Sequence, residues 1–100
     1  MLKAIEPTIH LGHIRYGKPQ TFNFTVKNEG PLIVEIEKLV VGCGSCTVAE
    51  TSKRVLKPEG EADIKVTFTP GSTGKQTKYV SVRYGADSIL KLEFTADVHA

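Results

Sequence analysis

Apolar and polar residues alternate with a period of two along several stretches of this sequence, and turn-forming residues separate the stretches. Such alternation is typical of β-strands that bury one face and expose the other to solvent. It first places Phe22, Phe24 and Val26 on one face, with polar residues between them. The same pattern gives three further inward rows: Ala62, Ile64, Val66 and Phe68; Val80, Val82 and Tyr84; and Leu90, Leu92, Phe94, Ala96 and Val98. We therefore predict an all-β chain with no helix of normal length.

A change of phase and the spacing of turns complete the set of strands. Val34 and Ile36 begin another inward row, which slips around Lys38 before Leu39 and Val41, as a β-bulge would produce. Turn-forming residues occur at 16–19, 28–31, 57–60, 70–74 and 84–87. With residues 5–11 as the first strand and 47–50 as a short middle strand, the count is about seven. We predict a seven-stranded antiparallel immunoglobulin-like β-sandwich, with residues 1–100 as a single domain.

Charge and hydropathy exclude two classes of partner. The 100 residues carry 13 Lys and Arg and 11 Asp and Glu, and both signs are scattered, so we expect no nucleic-acid binding. No stretch approaches the roughly 18 apolar residues of a membrane span, so we expect no membrane insertion. Lys3, Glu6 and His10 interrupt any signal-peptide core. A cytoplasmic or virion location is therefore expected unless Met1 begins an excised mature domain.

The sequence also lacks the common catalytic motifs. It contains neither a Gly-x-Ser-x-Gly elbow nor a phosphate-binding glycine loop. Paired acids such as Glu35 and Glu37 fall on a face predicted to meet solvent, where charge needs no further explanation. We expect no enzymatic activity and no cofactor.

Cys43-Gly44-Ser45-Cys46 is the one chemically suggestive motif, since a Cys-x-x-Cys binds metal, exchanges disulfides or cross-links a loop. Redox catalysis is disfavoured, because a thioredoxin-type thiolate relies on a following helix, whereas residues 47–50 have the pattern of a strand. The preferred interpretation is a structural loop with reduced thiols or a local disulfide.

A zinc site is the alternative for these cysteines. His10-x-x-His13 supplies a second pair at a separation common among zinc ligands, which makes Cys43, Cys46, His10 and His13 a candidate set. Positions three apart on an ideal strand face opposite sides, so joint ligation needs a bend, which Gly12 permits. His99 is expected at the same pole of the sandwich.

Outward-facing apolar residues indicate a binding surface. By the alternation above, Ile33, Tyr79 and Ile89 point to solvent on one sheet, and Arg83 is expected between Ile33 and Ile89. Aromatic, aliphatic and arginine side chains are the usual anchors of protein interfaces. The first and last strands are also expected to leave open edges that accept a partner's strand.

Several motifs together resemble a known family. They are Phe-x-Phe-x-Val and Asn-x-Gly within 17–30, Cys-x-x-Cys-Thr at 43–47, Leu56-Lys57-Pro58, Ile-x-Val-x-Phe-x-Pro at 64–70, and Gly74-Lys75. Their order resembles a bacterial immunoglobulin-like domain family of unassigned function with a Cys-Gly-Cys-Thr signature, related to major sperm protein and Hydin-type (ASH) domains. This chain departs from the family at Ser45, which lengthens the cysteine spacing, and at Pro58-Glu59-Gly60, where Pro-Gly-Glu is usual.

The resemblance implies a scaffolding fold that binds or assembles proteins, with no reaction assigned. We therefore expect a structural or adaptor module whose partners are other protein subunits or further copies of itself, in an assembly such as a virion or a cell-surface complex.

Overall fold

In a computed structural model of the protein, which describes residues 1–42 and 46–100, the chain forms two β-sheets around one core. The strands of the described residues are β1 (Leu2–Ala4), β2 (Thr8–Arg15), β3 (Gln20–Asn28), β4 (Val34–Val41), β5 (Thr47–Thr51), β6 (Val55–Leu56), β7 (Glu61–Phe68), β8 (Gly74–Tyr84) and β9 (Ser88–His99). One sheet has the order β1-β3-β7-β5 and the other β2-β9-β8-β4-β6. The described residues include no helix able to cross a membrane. The predicted all-β immunoglobulin-like sandwich is confirmed.

The predicted inward rows fill the space between the two sheets. Phe24, Phe68 and Phe94 are at most 1% exposed, while Phe22 at the margin is half-buried. The ring centroid of Phe94 lies 5.0 Å from that of Phe22 and 5.2 Å from that of Phe68, in edge-to-face geometry. Such contacts add to the free energy gained by removing the rings from water. Phe94 therefore joins the two sheets at the centre of the core.

β4 contains the predicted β-bulge. Its pairing with β8 shifts register between Ile36 and Lys38. The extra residue turns Leu39, which is half-buried, back against the core that Val34 and Ile36 also contact.

The predicted strand at residues 5–11 is divided between the sheets. The Ile5 amide donates to the Thr25 carbonyl in one sheet, whereas the Pro7 carbonyl accepts from the Glu93 amide in the other. The chain therefore crosses at residues 5–7, and with the two-residue β6 the described strands number nine rather than seven. β2 then pairs in parallel with β9, so the prediction of an antiparallel fold throughout was wrong for this pair.

Asn28, at the end of β3, is fully buried although its side chain is polar. Its amide nitrogen donates to the carbonyls of Leu32, at 2.8 Å, and Leu56, at 3.0 Å. Its Oδ1 accepts from the Gly30 amide at 3.0 Å and from the Met1 amino group at 3.4 Å. One side chain thus connects the amino terminus, the β3–β4 connection and β6, and it satisfies groups that would otherwise be buried without partners.

The turn between β6 and β7 is held against the same point. Glu59 has a φ of 69°, in the left-handed region that glycine adopts most readily. Its amide donates to the Asn28 carbonyl at 2.8 Å, and its carboxylate lies 3.0 Å from Lys27 Nζ. The hydrogen bond to Glu59, with its Coulombic attraction, raises the pKa of Lys27.

Replacing Asn28 should therefore destabilise the domain more than its size suggests. Asn28→Ala should lower the free energy of unfolding by about 3 kcal/mol, because the buried Leu56 carbonyl loses its donor and the bonds to Leu32, Gly30 and Met1 are lost as well. The matched control is Asn23→Ala, an exposed position on the same strand, which should change stability by less than about 1 kcal/mol. Equal urea midpoints for the two variants would contradict the role assigned to Asn28.

The core assignment gives a second prediction. Phe94→Ala should cost about 3–5 kcal/mol, as truncation of a buried aromatic ring does. Ile89→Ala, on the same strand but 58% exposed, should cost less than about 1 kcal/mol. Chemical denaturation of both variants checks the prediction, and it fails if Phe94→Ala unfolds at the wild-type denaturant concentration.

Candidate functional site

Two of the four predicted partner-binding residues are neighbours on the outer face of the five-stranded sheet. Arg83 of β8 pairs in register with Ile89 of β9, and both are exposed. Tyr79 lies on the same face of β8, and Lys91 Nζ stands 4.1 Å from the centroid of its ring. Ile33 is exposed immediately before β4. The structure thus brings Arg83 and Ile89 together, and partner binding by the four residues stays a prediction.

The first half of β9 forms an open sheet edge. β2 pairs with β9 only from Thr8, which is opposite Glu93, onward. Because the Glu93 amide points to Pro7, the amides and carbonyls of Ile89 and Lys91 point to the same side. Among the described strands none pairs with residues 88–92 on that side. A row of backbone donors and acceptors is therefore available to another strand.

An apolar crevice lies beside this open edge, between β1 and the start of β9. Its volume is about 560 Å³, and it is lined by Met1, Leu2, Lys3, Ala4, Ile5, Pro7, Glu29 and Leu90. Met1 and Ile5 are exposed and Leu90 is half-buried. Leu90 points inward between Ile89 and Lys91, so a strand added to the edge would direct its own inward side chains into the crevice.

The predicted zinc set falls partly outside the described residues, since Cys43 is not among them. Cys46 is half-buried against the core, and its sulfur lies 3.7 Å from Thr47 Oγ1. Its carbonyl accepts from the Thr69 amide at 2.8 Å. Cys46 thereby connects the start of β5 to the end of β7, and the Cys-His site stays a prediction.

The two histidines of the His-x-x-His motif take different partners. The strand bends between them, where the pairing of β2 with β9 shifts register and Gly12 has a φ of 73°. His10 Nδ1 lies 2.7 Å from Thr95 Oγ1, whereas His13 Nδ1 lies 2.8 Å from His99 Nε2. A side chain at residue 12 would meet no atom within 4 Å, so glycine is favoured there by its backbone conformation.

His13 and His99 form a cluster with Asp97. Asp97 Oδ2 lies 3.5 Å from His13 Nδ1 and 3.7 Å from His99 Nε2. Within the described ranges, this is the group of histidine, cysteine or acidic side chains placed closely enough to share a metal ion, and it contains neither His10 nor Cys46. The sequence predicts His13 and His99 at one pole, but the alternation of Ala96 and Val98 with polar residues places Asp97 on the solvent-facing side without marking it as a ligand. Its two-residue spacing from His99 was the available signal, because such residues share a face of one strand.

Comparison with known proteins places the chain in a family. The sequence matches the family described as "Protein of unknown function (DUF1573)" over residues 2–98. The chain belongs to this family. Membership of a family of unassigned function is thus confirmed, although the match does not show the Cys-Gly-Cys-Thr signature. No curated protein matches the sequence of this DUF1573 domain.

Solved structures similar to the DUF1573 domain share its fold at low sequence identity. A protein of unknown function from Porphyromonas gingivalis W83 has a TM-score of 0.81 and 12% identity, over 96% of this chain and 46% of that one. The ASH/PapD-like domain 7 of human CEP192 has a TM-score of 0.74 and 12% identity, over 98% and 84%. SSP-19, a Caenorhabditis elegans protein like the MSP-domain family, has a TM-score of 0.72 and 12% identity, over 91% and 94%.

These likenesses establish that the DUF1573 domain has the major sperm protein and ASH-type fold. The domain spans about half the length of the Porphyromonas gingivalis protein. The other similar chains include two proteases and a xyloglucanase, of which the domain covers 31% or less. The fold alone therefore does not decide the activity, which depends on the surfaces described above.

Proposed function

We propose that the domain is a non-catalytic adaptor or structural module that binds another protein by accepting an extended segment at the open edge of β9. The observation that carries the proposal is that the outward backbone groups of Ile89 and Lys91, beside the apolar crevice, pair with no strand of the described residues. In strand addition, backbone hydrogen bonds supply affinity, and pockets for alternate side chains supply specificity. The edge and the crevice offer these two contributions side by side.

The length of the edge defines the ligand. The Glu93 amide already donates to the Pro7 carbonyl. The part of β9 whose outer side pairs with no described strand is therefore residues 88–92, about 17 Å of extended chain. A segment of roughly five residues fits this length. Its inward side chains would be apolar, to enter the crevice beside Leu90, and its outward side chains would lie next to Ile89.

The same segment could belong to a neighbouring subunit. Repetition of such contacts would place the domain in a larger assembly, of which a virion or a cell-surface complex is an example. Self-association is the second arrangement, and it predicts a native mass that rises with protein concentration.

Selection of displayed nine-residue peptides on the purified domain tests the proposal. We expect enriched peptides to carry apolar residues at alternate positions. Binding one of them should protect the Ile89 and Lys91 amides from hydrogen exchange. Enrichment without alternation, or with no protection at these two amides, would contradict binding at this edge.

Variants at one position separate the backbone from the side chain. Lys91→Pro removes the outward amide and should weaken binding of a selected peptide by at least about tenfold, because roughly 1.4 kcal/mol of hydrogen bonding is lost. Lys91→Ala keeps the amide and should bind nearly as well as wild type. Equal affinity of the two variants would exclude strand addition.

A second pair of variants tests the crevice. Ile5→Asp puts a charge on its exposed wall and should weaken peptide binding by at least about tenfold, because apolar contact is lost and a carboxylate is desolvated. Val48→Asp, at a similarly exposed apolar position on β5, at the opposite edge of the four-stranded sheet, is the matched control and should leave binding unchanged. Melting temperatures of both variants confirm that they fold.

A further inference from the structure

The pairing of β2 with β9 brings two histidines and one aspartate together at one end of the five-stranded sheet. His13 is opposite Asp97 in the register, and Arg15 is opposite His99. The Gly12 bend turns His13 toward β9, while Asp97 and His99 project from the same face of that strand. Two elements distant in sequence thus present two imidazoles and one carboxylate to a common point.

The separations of the three ligand atoms suit one small ion. They are 2.8 Å between the two histidine nitrogens, and 3.5 and 3.7 Å from these nitrogens to Asp97 Oδ2. In a tetrahedral zinc site with bonds of about 2.0–2.1 Å, the ligand atoms lie about 3.4 Å apart. The two sides that meet at Asp97 Oδ2 are close to that length, whereas the two histidine nitrogens would have to separate by about 0.6 Å to bind the same ion.

We propose that His13, Asp97 and His99 bind one divalent transition-metal ion of the zinc class. Imidazole is a common ligand of zinc and its neighbours in the periodic table, and a carboxylate oxygen completes many three-residue sites. The set is distinct from the Cys43, Cys46, His10 and His13 constellation expected from the sequence, and it shares only His13 with it.

Hydrogen bonding alone explains only one side of the triangle. A neutral imidazole N–H donated to the other ring accounts for the 2.8 Å separation of His13 and His99. The Asp97 oxygen, at 3.5 and 3.7 Å, lies beyond an ordinary hydrogen bond to either nitrogen. Coordination of one cation would draw the carboxylate inward and replace the direct contact between the two rings.

The fourth coordination position faces solvent. The His13 and His99 side chains are 78% and 58% exposed, whereas the Asp97 side chain is 28% exposed. A surface depression of about 590 Å³, which His13, Asp97 and Lys75 help to line, gives access from one side. A bound ion would therefore hold a water molecule or accept a ligand from outside the domain.

Titration calorimetry with Zn²⁺ on the purified, untagged domain tests the proposal. We expect saturable binding of one Zn²⁺ per chain, with no comparable heat from Mg²⁺, which prefers oxygen ligands. His13→Ala, His99→Ala and Asp97→Asn should each weaken Zn²⁺ binding by at least about tenfold. All three residues are at least partly exposed, so these variants are expected to fold, and their melting curves without metal check this.

His10→Ala is the matched control, because His10 is an exposed histidine on the same strand that bonds to Thr95 instead. It should bind Zn²⁺ as the wild type does, and only the His13 and His99 ring signals should shift in NMR spectra on zinc addition. Absence of saturable binding would overturn the proposal. Loss of binding in His10→Ala or in Cys46→Ser, with binding retained in His99→Ala, would overturn it in favour of the Cys-His set.

Discussion

The crossing of the chain from one sheet to the other at residues 5–7 determines both candidate sites. The hydrogen bond from the Glu93 amide to the Pro7 carbonyl marks the point where the chain joins the second sheet. Residues 88–92 of β9, which precede this point, pair with no described strand on their outer side, and the open edge and its crevice result. After that point, β2 runs parallel to β9 and carries His13 to Asp97 and His99. A crossing a few residues later would extend the open edge and displace His13 from the cluster.

Asn28 fixes the position of β1, which forms the wall of the crevice opposite β9. β1 pairs with β3, and the Met1 amino group lies 3.4 Å from Asn28 Oδ1, so one wall of the crevice depends on a fully buried amide. The side chain has two donors and an oxygen acceptor, and the structure uses both kinds. A buried amide with all its partners in place contributes specificity as well as stability. The wall at Met1 and Leu2 is thereby positioned by contacts outside the crevice itself.

The core could be predicted from the sequence, and the sites only in part, for a physical reason. Burial of Phe24 and Phe94 follows from alternation within one strand, and so does the bulge near Lys38, because both are local consequences of the pleat. Which strand lies beside which is a property of distant segments. Alternation could not show that residues 5–7 change sheets, nor that Asp97 faces a histidine of β2.

The difference between local alternation and the pairing of distant strands also explains which site residues could be predicted. Ile89 was found because an apolar side chain at an outward position breaks the alternation. Its backbone, which carries the proposed function, gives no sequence signal, because every residue has an amide and a carbonyl.

The two candidate sites lie at opposite ends of β9. Ile89 and Asp97 are eight residues apart on one continuous strand, which corresponds to about 27 Å at the rise of an antiparallel strand. Substitutions at two sites so far apart usually have additive effects on the free energy of unfolding, as long as no side chain contacts both sites. A metal at the carboxyl end would nevertheless tie β2 to β9, and β2 begins at Thr8, next to the proline that bounds the open edge. The length of edge available to a partner strand is thus determined by the same pair of strands that a metal would hold together.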